Sequence, residues 1–291
     1  MKADRSRTIL RPTIALSLAA VTSLVVAAAA SAYPPHHRPG GWRRFLLSDP
    51  SATLARVNAL RVAFGAPRLS LAPGFSEGCA RHVNYMVANN TLTHVESPGQ
   101  PAYTAAGALA GTTSVLFLPP AEPFPATEPL GAWGQAPYHQ SQVLNPLLRR
   151  TGFAAGCMST LRGLAEGGPS AQPEASRILA WPAQNSHDIP RVIDACSELP
   201  TNPFEQVGWS CGGSGTALYI YDVNQSLDGC AAGTLTATLT GPYGIVPTQL
   251  LAGAGSCSSI VVTGRVLPAR ARFELDVSDG QSVLHRVFYT R

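Results

Sequence analysis

Cys79-Ala-Arg-His-Val-Asn-Tyr-Met-Val-Ala-Asn-Asn90, with Thr93-His94 just beyond it, is the stretch on which the fold turns. Pro73 sits at a helix start, and Phe75, Cys79, Val83 and Met86 then fall on one stripe before the run stops at Asn89-Asn90. The spacing predicts a helix with one apolar face and a histidine displayed just past its end. Upstream, Ser48-Asp49-Pro50 offers a cap with proline inside the first turn. Leu54, Val57, Leu60 or Arg61, and Phe64 follow at helical spacing until Gly65 ends the run. Two amphipathic helices in succession each need another layer to cover one face.

Downstream of His94 the pattern breaks. Ser97 to Pro129 is rich in Gly, Ala and Pro and reads as irregular, with PPAEPFPATEP extended and exposed. Short helices are expected around Trp133 and after Pro137, and strands over 152–160 and 177–181. Beyond about Pro190 no long helical pattern remains. Alternating runs at 217–223, 234–240, 258–262, 271–277 and 283–290, punctuated by Asp228-Gly229, Gly241-Pro242 and Asp279-Gly280, predict a small all-β sandwich of immunoglobulin-like type.

At the other end, Lys2, Arg5, Arg7 and Arg11 precede an apolar stretch from Thr13 to Ala29 and an Ala30-Ser31-Ala32 site. That order reads as a secretory signal over residues 1–32, cleaved after Ala32. A Pro/Gly linker over 33–48 follows, containing His36 and His37. Removing the leader takes away four basic residues and Asp4, so the formal charge falls from +4 to +1. A nearly neutral exported chain has no electrostatic case for nucleic acid or acidic lipid. Lys2 is the only lysine in the sequence, which removes lysine Schiff-base chemistry and the P-loop from the exported form. The arginine-only basic set and the Ala-rich leader point to a GC-rich bacterial source.

All six cysteines follow the leader, and an even count in an exported protein reads as disulfides. Grouping them by expected domain pairs Cys79 with Cys157, Cys196 with Cys211, and Cys230 with Cys257. No C-x-x-C, G-x-S-x-G, H-E-x-x-H or G-x-G-x-x-G is present. Gly212-Gly213-Ser214-Gly215 breaks off at Thr216, and His94-Val-Glu96 has the wrong spacing for a zincin.

Asn58-Ala-Leu-Arg61, Gly65-Ala-Pro-Arg-Leu69, the helix ending before Thr93-His94, Trp133-Gly-Gln-Ala-Pro-Tyr-His139, Leu144-Asn-Pro146 and Thr151-Gly152-Phe153 together resemble the CAP superfamily of cysteine-rich secretory, antigen 5 and pathogenesis-related proteins. The resemblance implies an α+β fold, a three-layer α-β-α sandwich over 49–189, with a β-sandwich appendage over 190–291. It further implies a groove where two histidines and two glutamates converge, sometimes on zinc or another divalent ion. Carried onto this chain, the histidines are His94 and His139.

The glutamates do not carry over. Ala110-Gly-Thr-Thr-Ser114 stands where the first is expected, and Gly134-Gln-Ala where the second is. Glu96, Glu122 and Glu128 are the acids nearest in sequence, and Tyr138 and Tyr103 are candidates for the rim. His82 reads as a surface or packing residue and Trp133 as a core anchor.

Two functions follow from the resemblance. One is a non-catalytic extracellular module, free or wall-associated, that binds a small apolar molecule, glycan, peptide or wall component. The other is a peptidase-like hydrolase using a zinc-like ion on His94 and His139, with Glu96 or Glu128 as general base. The incomplete carboxylate set favours the first. A structural or adhesive module is a third expectation.

Overall fold

Asp49 opens the first helix as the sequence predicts. Its Oδ1 accepts from the Ser51 amide at 3.0 Å, Pro50 takes the first position, and Gly65 closes the helix in the left-handed region at φ 96°. The structure is a computed structural model that describes residues 49–117, 133–164, 178–198, 201–211, 215–222, 235–253 and 258–291. The expected leader and linker lie outside these residues, as do Glu122, Glu128 and the expected pair Cys230 and Cys257.

The N-terminal half is built from helices α1 (Pro50–Phe64), α2 (Pro73–Ala88), α3 (Ala105–Thr112) and α4 (Pro137–Leu144) and five short strands. Strands β1 (Ser70–Leu71) and β3 (Arg150–Thr151) pair in parallel. β2 (Ser114–Leu116), β4 (Phe153–Ala154) and β5 (Cys157–Ser159) form a three-stranded antiparallel sheet in the order β2-β5-β4.

Side chains alternate across this sheet, so its two faces bury different partners. Leu116, Ala154 and Cys157 pack with Cys79, Ala80, Val83 and Met86 of α2. Val115, Phe153 and Met158 pack with Val57 of α1, Val143 of α4, and Trp133. Helix, sheet, helix is therefore the order of layers. Cys79 and Cys157 are bonded across the α2–β5 interface.

Helix α3 is a departure from the irregular stretch expected over 97–129. Its sequence, AAGALAGT, has no apolar-polar alternation to betray a helix, yet Ala favours one and the Thr104 hydroxyl caps it by accepting from the Gly107 amide at 2.9 Å. The small residues let α3 lie directly on α2: a Cβ at Gly78 would stand 3.3 Å from the Ala106 carbonyl oxygen and from the Ala110 Cβ.

The remaining strands are β6 (Ile178–Trp181), β7 (Ser186–Ile189), β8 (Ala217–Asp222), β9 (Thr236–Gly241), β10 (Gly244–Ile245), β11 (Thr248–Ala252), β12 (Ser258–Thr263), β13 (Arg272–Ser278) and β14 (Val283–Thr290). They make two sheets, ordered β11-β12-β8-β6 and β10-β9-β13-β14-β7. Ile178, Leu218, Ile220 and Val261 from the first face Leu239, Phe273, Leu275, Val277 and Phe288 from the second across a shared apolar core.

Two strands are placed differently from the expectation. Residues 178–189 were assigned to the first domain, but β6 pairs antiparallel with β8 and β7 pairs parallel with β14. The four-stranded sheet is also covered on its other face. Leu179, Tyr219, Tyr221, Ile260 and Val262 pack against Phe64 of α1, Leu144 of α4 and Phe204 of the short helix α5 (Pro203–Gln206). Every residue of β8 is buried for that reason, and its ALYIYD sequence reads as a nearly continuous apolar run. The described residues from Asp49 to Arg291 accordingly fall in one compact unit, with no break near 189.

Candidate functional site

The residues after α2 organise around a buried ion-pairing couple. His82, on α2, is fully buried; its Nε2 lies 2.7 Å from the Thr93 carbonyl oxygen and its Nδ1 2.9 Å from Glu96 Oε1. A carbonyl can only accept, so Nε2 carries a hydrogen, and one further proton lies between Nδ1 and the carboxyl. The other Glu96 oxygen accepts from the Thr104 amide at 3.0 Å, at the start of α3.

Helix α3 covers this couple with its two glycines one turn apart. A Cβ on Gly107 would run into Glu96 Oε1, and one on Gly111 into the His82 ring. His82 is thus an internal partner rather than a surface residue, and Glu96, a candidate general base on sequence, is committed to it.

His94 emerges from the loop that this couple pins, and is itself exposed. Its Nδ1 is 2.7 Å from the Gly111 carbonyl oxygen, so Nδ1 is the protonated nitrogen and Nε2 keeps its lone pair. Partial desolvation lowers the His94 pKa from its ordinary 6.5. The bond to Gly111 opposes this, and the charges of His139 and His82 lower it further. The mutual influence of His94 and His139 places the two imidazoles, 45 positions apart in the chain, in one neighbourhood.

His139 lies on the first turn of α4, where Pro137 starts the helix. Its partner is one that the sequence did not disclose. Glu198 Oε1 accepts from both the His139 amide, at 3.0 Å, and the His139 ring Nδ1, at 2.9 Å. The His139 side chain is 14% exposed and that of Glu198 only 1%. Nδ1 again carries a proton directed at a fixed acceptor, and no described residue is bonded to Nε2.

Glu198 stands in the segment expected to be a plain connector, and that segment is strapped along α4. The Asp194 amide donates to Gln135 Oε1 at 2.7 Å, Tyr138 donates its hydroxyl proton to Gln206 Oε1 at 2.8 Å, and Cys196 is bonded to Cys211. The Glu198 charge helps to raise the pKa of Tyr138, after burial, and adds to the strong rise that burial imposes on Tyr219. Glu198 Oε2 is buried with no hydrogen-bond partner among the described residues. No local pattern could have singled Glu198 out, because its role exists only once the strap is folded over α4.

The other expected groove residues separate. Tyr138 is half-buried and turned toward α5 and the four-stranded sheet. Tyr103 is exposed in the loop before α3, its amide bonded to Gln100. Trp133 is buried in the core between α1 and α4, edge-on to Phe117.

The donor set was tested against a zinc-like ion. His94 and His139 each have the second-shell partner that a ligating imidazole takes, but Glu96 faces His82 and Glu198 backs His139 on its Nδ1 side. Among the described residues no group of three or more potential ligands is gathered. Two nitrogens fall short of the three or four protein ligands of a zinc site, and the described residues do not fit the ion.

The fold and this geometry agree with the comparison by sequence. Residues 54–163 match the model of the cysteine-rich secretory protein family, CAP. That part of the chain is a CAP domain. The match takes in α1 to α4, the three-stranded sheet, His82, His94, Glu96 and His139; it stops before β6 and before Glu198. No curated protein and no solved structure matched the chain. CAP proteins are typically extracellular, and two disulfides in the described residues fit that setting.

Proposed function

We propose that the chain is an exported, wall-associated binding protein whose CAP groove holds a hydroxyl-rich ligand, a glycan or wall component, without catalysing its breakdown. One observation carries this reading. His94 and His139 each direct Nδ1–H into a fixed acceptor, Gly111 O and Glu198 Oε1, which leaves both Nε2 atoms with no described residue bonded to them. Ring nitrogens left open in this way suit hydrogen bonds to ligand hydroxyls, which can both donate and accept. Pre-oriented rings accept such a bond with little further ordering cost.

The test is calorimetric titration of the processed protein with soluble wall-glycan fragments, a medium-chain fatty acid and a short peptide. The glycan fragments are expected to bind, and His94→Ala and His139→Ala each to weaken that binding about tenfold, the worth of one buried hydrogen bond. Turnover of any of these probes, or glycan affinity untouched by both substitutions, would refute the reading.

A second reading, a hydrolase with a divalent ion on the two imidazoles, is favoured by their second-shell partners alone. Elemental analysis separates the two. Near one equivalent of zinc per chain, with activity lost on chelation, would establish the hydrolase; well below one equivalent with no effect of chelation would remove it.

A further inference from the structure

The edge of the five-stranded sheet carries a concavity remote in sequence from His94 and His139. It is a cavity of about 380 Å³ lined by His187, Asp188, Arg270, Tyr289, Thr290 and Arg291. Strand β7 is the last strand of that sheet, and its pairing with β14 is irregular: the register runs from Ser186↔Phe288 to Ile189↔Thr290, so three steps on β7 face two on β14. The extra residue makes a bulge, a device that re-aims side chains at a sheet edge.

Asp188 sits in this bulge at φ 61°, and Arg270, on the opposite rim, has φ 51°. Both are left-handed conformations that residues other than glycine adopt at a cost, and both line the same cavity.

The bulge lays the His187 ring flat on the Tyr289 ring, with centroids 4.4 Å apart and planes 3° from parallel. Arg272 bonds the Tyr289 hydroxyl from the neighbouring strand. The row of side chains therefore runs Arg272, Tyr289, His187 and ends at the sheet edge, where His187 is exposed and no further strand follows. Arg270 and Arg291 are also exposed, and neither guanidinium has a hydrogen-bond or ion-pair partner among the described residues. The backbone holds the two close, since the Arg270 amide donates to the Arg291 carbonyl and the Arg291 amide to that of Ile189.

We infer that this bulged edge is a binding subsite for a carboxylate-bearing sugar ring of an acidic polysaccharide. The outer face of His187 extends the stack to a pyranose, whose C–H face is positive where an aromatic face is negative. The guanidinium forks of Arg270 and Arg291 match a carboxylate. Asp188 accepts from ring hydroxyls. The inference stands apart from the groove reading, since none of its residues touches His94 or His139.

The test is titration of the processed protein with trigalacturonate, maltotriose, inorganic phosphate and AMP, followed by calorimetry and by the His187 ring resonances in NMR. Trigalacturonate is expected to bind and shift His187, with maltotriose, phosphate and AMP at least about tenfold weaker. Arg270→Ala and Arg291→Ala should each weaken trigalacturonate about tenfold, and lysine at either position should restore only part of it, because the charge returns without the fork. All of these residues are on the surface, and circular dichroism verifies that each variant is folded. Four results would overturn the inference: no binding of trigalacturonate, equal binding of maltotriose, tighter binding of AMP or phosphate, or undiminished binding in the Arg270→Ala, Arg291→Ala double variant.

Discussion

Replacing Arg61 with methionine tests whether the placement of α4, and of His139 on it, rests on a single buried cation. Arg61, fully buried on α1, donates from Nε to the Pro67 carbonyl at 2.9 Å, from Nη1 to those of Val143 and Asn145 at 2.7 and 2.9 Å, and from Nη2 to that of Leu148 at 3.0 Å. Three of these carbonyls belong to the end of α4 and the turn after it, where helix geometry leaves acceptors without internal partners. Burial, with Arg149 adding, lowers the Arg61 pKa to about 9, so at pH 7 it is charged and all four bonds are charge-assisted.

Methionine fills most of the volume, which keeps the cavity contribution small. The Asn145 carbonyl keeps the Leu148 amide and the Leu148 carbonyl keeps Arg149 Nη1 at 3.4 Å, but those of Pro67 and Val143 lose their donor. At roughly 1–2 kcal/mol for each of the two abandoned buried acceptors, the loss is about 2–4 kcal/mol, a large share of a domain's stability. Lysine restores one charge and reaches fewer carbonyls, so Arg61→Lys should fall between. Urea unfolding at pH 7, followed by tryptophan fluorescence and circular dichroism, measures both. A loss under 1 kcal/mol for Arg61→Met would show that the α4 carbonyls are satisfied without it, and the account of how α4 presents His139 would fail.

Three further outcomes are expected. Gly111→Ala, ordinarily worth up to about 1 kcal/mol in favour of a helix, should instead destabilise by about 1–3 kcal/mol in thermal unfolding, because the new methyl meets the His82 ring; a raised Tm would contradict the close approach of α3. His94 titrates below its ordinary 6.5, so the folded state favours the neutral ring: its contribution to stability is complete above about 6.5 and is lost as pH falls through the lowered pKa. Glycan binding should weaken over the same acidic range, and an NMR midpoint above 6.5 would reverse the sign. Cys196→Ser with Cys211→Ser opens a loop with a sequence separation of 15 and should cost about 3 kcal/mol in unfolding free energy. It should also shift the His139 ring resonances by loosening Glu198; unchanged resonances would show that the strap holds without the bond.

The sequence made the amphipathic elements legible and left the small-residue and long-range ones hidden. Helices α1 and α2 carry a cap, a proline at the start and an apolar stripe, so local chemistry and burial agree. The C-terminal strands alternate cleanly, as in β13, where Phe273, Leu275 and Val277 are buried and the residues between them are not. Helix α3 escaped because Ala and Gly hide which face is inward. The allegiance of β6 and β7 escaped because a strand's sequence states that it will pair, not with what. His94 and His139 were readable only as a resemblance, and their meeting depends on the burial of His82 and Glu96, which no local spacing announces.

Glu198 is the sharpest case, and it bears on how this CAP domain keeps its groove ordered. The segments where a family carboxylate was expected, 110–114 and 134–136, hold Gly111 and the helical Gln135. At the first, the close contact with His82 leaves no room for any side chain; at the second, Gln135 is occupied with the Asp194 amide. A carboxylate still reaches His139, but from residue 198, beyond the matched domain and on a strap closed on itself by Cys196–Cys211 and fixed to the domain by the Asp194–Gln135 and Tyr138–Gln206 bonds and by packing of Phe204. The four-stranded sheet and the strap thereby take over what the domain's own loops do not supply. It follows that residues 54–163 alone would lack the partner of His139 and the cover over Phe64 and Leu144, so the β-rich half completes the surroundings of His139.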